Sequence, residues 1–174
     1  MNAYSTRKLT ACAVLTALSF VGANIKVPGT SIAFDSLPAF LGALAVGAPW
    51  GMAVGFIGHL LTAMTSGFPL GLPVHAFIAV FMSLAMLAYR LADRALGRLN
   101  ANILARGAGA CAAGAAVNAP LCLLALVPIL GAPACVAFMA PLSAVALANA
   151  AGGYIVYAAL AKAGVLSAFG AGWR

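Results

Sequence analysis

Six apolar runs, separated by short breaks rich in glycine and proline or by a cluster of arginines, constrain this fold most. Three breaks, residues 47–51, 66–73 and 127–133, each combine proline with glycine. In a bilayer, a chain satisfies its backbone polar groups internally, so apolar runs of this kind predict membrane helices. Only 6% of the residues are charged, against roughly 25% in soluble domains. We therefore expect one all-α integral membrane domain over residues 1–174.

The breaks predict a bundle of six transmembrane helices. The first run follows Arg7 and Lys8 and also has the outline of a signal peptide, but we interpret it as a helix. Asp35 or Ser36 is the expected N-cap of the second helix, with Pro38 in its first turn. An amphipathic extension on the membrane surface is expected after residue 90. The predicted helices cover residues 7–23, 36–46, 50–65, 73–90, 103–126 and 134–160.

The distribution of the basic residues predicts the orientation of the bundle. The chain has nine basic and two acidic residues, a net charge of +7. With both termini cytoplasmic, eight basic residues lie inside and only Lys26 lies outside, as the positive-inside rule favours. The basic residues are not interleaved with aromatics on a polar face, so nucleic acid is not an expected partner. We predict a multi-pass cell-membrane protein with loops 24–33, 66–73 and 127–133 outside.

Few polar side chains interrupt the apolar runs, and polar groups inside a membrane tend to mark function. His59, Thr62 and Ser66 are spaced three and four residues apart, so they share one helix face that leads to loop 66–73. An outward-facing cavity at this place is the prediction. Alternatives stay open, because a histidine, threonine or asparagine also serves as a contact between helices and Asp35 as a simple helix cap. The candidate binding residues are Phe34, Asp35, His59, Thr62, Ser66, Phe68, His75 and Asn118.

Motifs of common enzymes do not occur in the sequence. It contains no G-x-x-x-x-G-K-[ST], no H-E-x-x-H, no G-x-S-x-G and no carboxylate pair. The four cysteines lie in apolar runs without C-x-x-C spacing, which favours small buried hydrophobic residues over metal ligands or disulfides. We expect no catalytic residue, no metal site and no cofactor in this chain.

Several segments resemble the S component of energy-coupling factor (ECF) transporters, the subunit that binds a vitamin. They are the pair Ala13 and Ala17 after Arg7 and Lys8, and the segments 35–41 (DSLPAFL), 47–51 (GAPWG) and 55–59 (GFIGH). The resemblance implies that Ala13 and Ala17 pack on a transmembrane coupling protein, with two cytoplasmic ATPases using the ATP. It also implies a ligand bound under the first and third loops and released inside when the subunit topples.

Within that family, segments 58–63 (GHLLTA) and 65–75 (TSGFPLGLPVH) are most similar to the transporters of α-ribazole, the nucleoside of the lower cobalamin ligand. Lys26 would also suit an anionic vitamin such as pantothenate. From other classes, a membrane scaffold without a ligand and a membrane enzyme acting on a lipid remain alternatives. The enzyme would need acidic or nucleophilic groups at the cytoplasmic end, where Asp93 stands alone among arginines.

Overall fold

The architecture comes from a computed structural model that describes residues 3–26 and 29–166, with side chains from residue 6 onward. Within those residues the chain forms six helices and no strand; one isolated antiparallel bridge joins Lys26 and Ala33. The all-α prediction is confirmed. The helices are α1 Ala3–Gly22, α2 Leu37–Ala45, α3 Ala48–Thr65, α4 Leu72–Arg98, α5 Ile103–Leu130 and α6 Ala132–Lys162.

Helix α2 is the centre of the bundle although it has only nine residues. Helices α1, α3, α4 and α6 all pack on it, and Phe40 and Leu44 are completely buried. Close approach is possible because the neighbours carry glycine at the contacts. A Cβ at Gly51 would lie 2.5 Å from the backbone nitrogen of Ala43, and a Cβ at Gly153 would lie 2.8 Å from the Cβ of Phe40. This enclosure explains how so short an apolar segment is accommodated.

Three of the described helices are long and apolar enough to cross a bilayer, namely α4, α5 and α6. Helices α1 and α3 have 20 and 18 residues. The prediction of six helices therefore agrees with the described chain, whereas six complete membrane spans stay a prediction.

The structure of α4 differs from the prediction, which ended this helix at residue 90 and placed an amphipathic extension on the membrane surface. It continues without a break to Arg98, because its last turns are buried on one side. Asp93 is fully buried there and receives hydrogen bonds from Arg106 on α5 and from Tyr154 on α6. Residues 90–98 thus bind three helices together instead of forming a separate helix on the membrane surface.

Helix α5 is longer than predicted and contains a wide turn. A π-helical turn at Val117–Leu121 surrounds Pro120, where a regular helix would place the proline ring against the preceding turn. The helix then reaches Leu130, four residues past the predicted end, and Gly131 with φ of 80° starts the connection to α6. Pro128 is accommodated inside the last turns of α5.

The two described ends of the chain meet at the same end of the bundle. A groove of about 770 Å³ is lined by Arg7 and Leu15 of α1, Val46 after α2, and Leu160 and Leu166 around the end of α6. Asp93, Arg90 and Arg106 join helices at the end where α4 finishes and α5 begins. Lys26 lies at the other end, in the α1–α2 connection. Residues 167–174, including Arg174, lie outside the described residues.

Candidate functional site

The end of the bundle that carries the α1–α2 and α3–α4 connections contains a partly open cavity of about 190 Å³. Residues 29–33 and Pro69 and Leu70 cover it, and helices α4, α5 and α6 supply most of its wall. Its volume exceeds the ~150 Å³ that encloses a benzene molecule, but it is smaller than the roughly 300 Å³ at which drug-sized pockets begin. The wall is largely apolar, and its polar members are Thr30, Ser31, Asp35, Ser36, His59, Asn118 and Asn149.

The Asp35 carboxylate lies in this wall, and few protein groups stabilise its charge. Its side chain is buried and accepts a 2.6 Å hydrogen bond from Thr62 Oγ1 on α3. Within the described residues no Lys or Arg pairs with Asp35; the nearest basic group is His59, whose Nδ1 lies 3.9 Å from Oδ2. Burial raises the pKa of Asp35, in the loop before α2, to about 6, and the Thr62 hydrogen bond partly opposes that rise. The carboxyl group is therefore available for a ligand.

The predicted N-cap position of α2 is confirmed for Ser36, but the side-chain hydrogen bond expected of an N-cap is not formed. Ser36 occupies the N-cap position but makes no capping hydrogen bond with its side chain. The Asp35 carboxylate bonds to Thr62 on α3 instead, because the α1–α2 connection turns this side chain toward α3. Pro38 lies in the first turn of α2, as predicted.

His59 and His75 form a buried pair between α3 and α4. Nε2 of His59 lies 3.3 Å from Nδ1 of His75, and the backbone N–H of Leu70 donates to Nε2 of His75 over 3.4 Å. An exposed position of His75 at the membrane interface was the alternative to a binding role; it is wrong, because His75 is completely buried. His59 contacts the cavity, whereas His75 stands behind it under loop 66–71.

The two loops over the cavity are joined by one polar contact. Nζ of Lys26 donates to Oγ of Ser66 over 2.9 Å, so this lysine joins the α1–α2 connection to the opposite loop. Next to it Phe68, with φ of 49°, packs its ring 5.9 Å from that of His75. Ser66 and Phe68 thus shape the cover of the cavity without lining it.

Asn118 enters the cavity from the wide turn in α5. Its side chain is buried, lines the cavity, and makes no hydrogen bond to the part of the chain that the structure describes. The alternative that Asn118 bonds to carbonyl groups freed by Pro120 is therefore not supported. The Asn118 amide in the cavity wall is therefore open to contact with a ligand.

Asn149 and Phe138 also line the cavity, although neither is among the candidate binding residues predicted from the sequence. Nδ2 of Asn149 donates to the carbonyl of Ala33, and its Oδ1 accepts from the backbone N–H of Leu37. Asn149 therefore holds the covering segment against α6 and lines the cavity as well. Phe138 on α6 supplies the aromatic surface of the wall; its apolar neighbourhood in the sequence gives no signal that separates it from other buried phenylalanines.

The remaining predicted residues lie around the cavity. Phe34 is 38% exposed and does not line it; its backbone carbonyl packs closely against Gly22. Thr62 stands behind Asp35 and also bonds to the carbonyl of Gly58. Three of the eight candidates, Asp35, His59 and Asn118, therefore contact the cavity directly, and Thr62, Ser66, Phe68 and His75 support these residues or the cover.

On α1, Ala13 and Ala17 are both exposed and lie one turn apart on the same face. Large apolar residues beside them, Val14, Leu18 and Val21, are also exposed. The helix thus presents an apolar face with small residues in it, which suits close packing against another membrane helix.

Comparison with known proteins identifies the family. A family model described as "ECF transporter, substrate-specific component" matches residues 7–169. The chain belongs to this family. No curated protein and no solved structure matches it.

Membership gives the coarse function of the chain. Substrate-specific components of ECF transporters are membrane proteins that bind small molecules and work with a coupling protein and ATPases. The chain is a transporter subunit and not an enzyme. The cavity described above is a candidate site for a small molecule.

Proposed function

We propose that this substrate-specific component binds α-ribazole, or a closely similar neutral nucleoside, in the cavity next to Asp35. The observation that carries the proposal is the composition of the cavity wall. Asp35, His59 and Asn118 supply hydrogen-bonding groups, Phe138 supplies an aromatic surface, and none of the residues that line the cavity is Lys or Arg. Such a wall suits a planar, uncharged heterocycle that carries hydroxyl groups.

An anionic vitamin such as pantothenate fits this wall less well. A buried carboxylate on the ligand would face the Asp35 carboxylate without a compensating cation, and unpaired buried charges are costly. Lys26 does not line the cavity, and its ammonium group is bound to Ser66 in the cover. The alternative of a pantothenate carrier is therefore disfavoured on electrostatic grounds.

The dimensions of the cavity suggest how a nucleoside would lie in it. About 190 Å³ accommodates a benzimidazole-sized ring between Phe138 and the apolar residues of α5. The ribose would extend toward Asp35 and the covering segment 29–33, which requires that the cover move outward when the ligand enters. Two loops joined through the Lys26–Ser66 contact are consistent with such a movement.

We place the cavity at the extracellular end and the arginine-rich end in the cytoplasm, as the positive-inside rule favours. In this arrangement the exposed face of α1 with Ala13 and Ala17 packs on the coupling protein. The loaded subunit then topples and releases the ligand inside, driven by ATP hydrolysis in the partner subunits. This chain itself uses no cofactor in the proposed cycle.

The proposal is tested by thermal unfolding of the purified protein in detergent with a panel of compounds. The panel contains α-ribazole, dimethylbenzimidazole, cobalamin, pantothenate, riboflavin, thiamine and biotin. A ligand at 100 times its Kd stabilises the folded state by about 2.7 kcal/mol, so α-ribazole should raise Tm clearly. Stabilisation by pantothenate alone would overturn the choice of ligand, and stabilisation by thiamine alone would indicate a cationic ligand opposite Asp35.

An Asn118→Leu variant tests whether the cavity is the binding site. Because the Asn118 side chain bonds to no described protein group, the variant should fold as well as the wild type and lose most of the stabilisation by α-ribazole. The matched control is Asn24→Ala, since Asn24 is exposed and bonds to the carbonyl of Phe20 at the end of α1. Unchanged binding in Asn118→Leu would place the ligand elsewhere.

A further inference from the structure

The hydrogen bonds of His75 determine which nitrogen of each histidine carries a proton. The Leu70 N–H donates to Nε2 of His75, so this nitrogen has a free lone pair. A neutral imidazole has one N–H and one acceptor nitrogen, and the N–H of His75 is therefore on Nδ1. A protonated imidazole carries N–H on both nitrogens and offers no acceptor to Leu70.

The position of the proton on His59 follows from that on His75. Nδ1–H of His75 faces Nε2 of His59 over 3.3 Å and donates to it. Nε2 of His59 is then the acceptor, and the remaining proton of His59 is on Nδ1. In the described residues this Nδ1–H makes no hydrogen bond, and Oδ2 of Asp35 lies 3.9 Å from Nδ1, which is beyond hydrogen-bond distance.

We infer that His75 is a positioning residue which fixes His59 as an N–H donor beside the Asp35 carboxylate. The site then offers one donor and one acceptor 3.9 Å apart, at the cavity wall. One hydroxyl group placed between them accepts from His59 and donates to Asp35, with both contacts at ordinary hydrogen-bond length. A ligand N–H group can only donate to Asp35, and an unprotonated ring nitrogen can only accept from His59.

The inference rests on the proposed function for the identity of the ligand, but it narrows the chemistry of recognition. The group recognised by the His59–Asp35 pair is a hydroxyl, such as one of the ribose hydroxyls of a nucleoside. The base of the nucleoside is then left to Phe138, Asn118 and the apolar wall. A ligand without a hydroxyl leaves the His59 donor, the Asp35 acceptor or both without a ligand contact, which lowers affinity.

The tautomers are measured by ¹⁵N NMR of the full-length protein labelled at histidine. The chain has only two histidines, so a variant at one leaves the signals of the other alone. We expect His59 in the ligand-free protein to carry its proton on Nδ1. In His75→Leu, which has no donor for Nε2 of His59, the Nε2–H tautomer should become populated.

His75→Asn is the conservative control, because its side-chain amide nitrogen occupies about the position of Nδ1 and can still donate to His59. This variant should keep the wild-type tautomer of His59 while it loses the contact to Leu70. A residue with a merely structural role would change stability in both variants without this difference. Nε2–H on His59 in the free wild type, or an unchanged tautomer in His75→Leu, overturns the inference whichever ligand binds.

Binding of α-ribazole and of dimethylbenzimidazole, which lacks the ribose, tests the hydroxyl. We expect α-ribazole to bind about 10–100-fold more tightly, and this ratio to fall in His75→Leu but not in His75→Asn. Equal affinities overturn hydroxyl recognition. If α-ribazole does not bind while His59 shows Nδ1–H, the proposed ligand is overturned with its hydroxyl contact, and the positioning role of His75 is supported.

Discussion

The two aspartates are the only acidic residues of the chain, and both are buried at opposite ends of the bundle. Asp93 is surrounded by donors: Arg106 binds both carboxylate oxygens at 3.1 and 3.0 Å, and Arg90 and Tyr154 each donate one hydrogen bond at 3.2 Å. Asp35 receives a hydrogen bond from Thr62 and no contact from Lys or Arg in the described chain.

The difference separates a structural carboxylate from one available for binding. At Asp93 each partner comes from the protein, so the group joins α4, α5 and α6 and has nothing left to bind. At Asp35 the protein offsets only part of the cost of burying the charge. Another group has to supply the remaining stabilisation. A ligand donor in the adjacent cavity is the partner that the geometry leaves room for.

The largest effect is expected for Asp93→Ala. It removes the Asp93 acceptor from two partly buried guanidinium groups, which should lower the free energy of unfolding by about 3–5 kcal/mol. Denaturant unfolding in detergent measures the loss. Arg94→Ala is the control, since Arg94 is exposed on the same helix, and it should change stability by less than ~0.5 kcal/mol. If Asp93→Ala lowers the free energy of unfolding by less than ~1 kcal/mol, the protein stabilises the carboxylates of Asp93 and Asp35 to a similar degree.

Asp35→Asn should have the opposite sign. Moving the pKa from 3.8 to about 6 corresponds to a cost of the charged form of up to about 3 kcal/mol. The amide removes this charge and keeps an oxygen for Thr62, so we expect stability at pH 7 to rise by about 1–3 kcal/mol. Stabilisation by α-ribazole should fall in the same variant, because the acceptor for the ligand is weakened. Destabilisation comparable to that of Asp93→Ala would refute the comparison.

The pH dependence of stability checks the same carboxyl without changing the fold. Between about pH 4 and pH 6 the folded protein holds the Asp35 proton that the unfolded chain releases, so the free energy of unfolding falls as pH rises. This contribution is complete below the unfolded pKa and lost above about 6. The difference between wild type and Asp35→Asn isolates it from the other groups. If the wild-type free energy of unfolding instead rises with pH relative to that of Asp35→Asn, the pKa of Asp35 is lowered in the folded protein.

The sequence predicted the region of the site because spacing alone places His59 and Thr62 on one helix face and Asp35 in the loop above it. Helix boundaries also followed from the proline and glycine breaks. What it could not predict depends on contacts between distant elements. The direction of Asn118 follows from the wide turn around Pro120, and the length of α4 follows from bonds that Asp93 makes to α5 and α6.

Aromatic residues show the same limit. Phe34 and Phe68 were expected at the ligand because they flank the loops, but neither lines the cavity, and Phe138 from α6 does. The sequence shows which residues lie beside a loop. The direction of an aromatic ring depends on how the backbone of that residue packs. For Phe34, that backbone packs tightly against Gly22.

Thr62→Val tests the side-chain hydrogen bond that Asp35 receives from α3. Valine keeps the shape of threonine and removes only the hydroxyl, so we expect a loss of about 1–2 kcal/mol at pH 7. The loss should be smaller at pH 4, where the carboxyl is protonated and needs no donor. Thr65→Val is the control, because Thr65 is exposed and bonds only to the carbonyl of Thr62. Equal losses in both variants would mean that the Asp35 contact adds no stability.

The smallest effect is expected at the Lys26–Ser66 contact over the cavity. A double-mutant cycle of Lys26→Met and Ser66→Ala should give a coupling of about 0.5–1 kcal/mol, since the pair is partly buried and has one hydrogen bond. The same substitutions should speed ligand dissociation, because the two loops then separate more easily. A coupling of several kcal/mol, like that expected around Asp93, would mean that the cover is as rigid as the opposite end. The cavity would then open by movement of helices instead of loops.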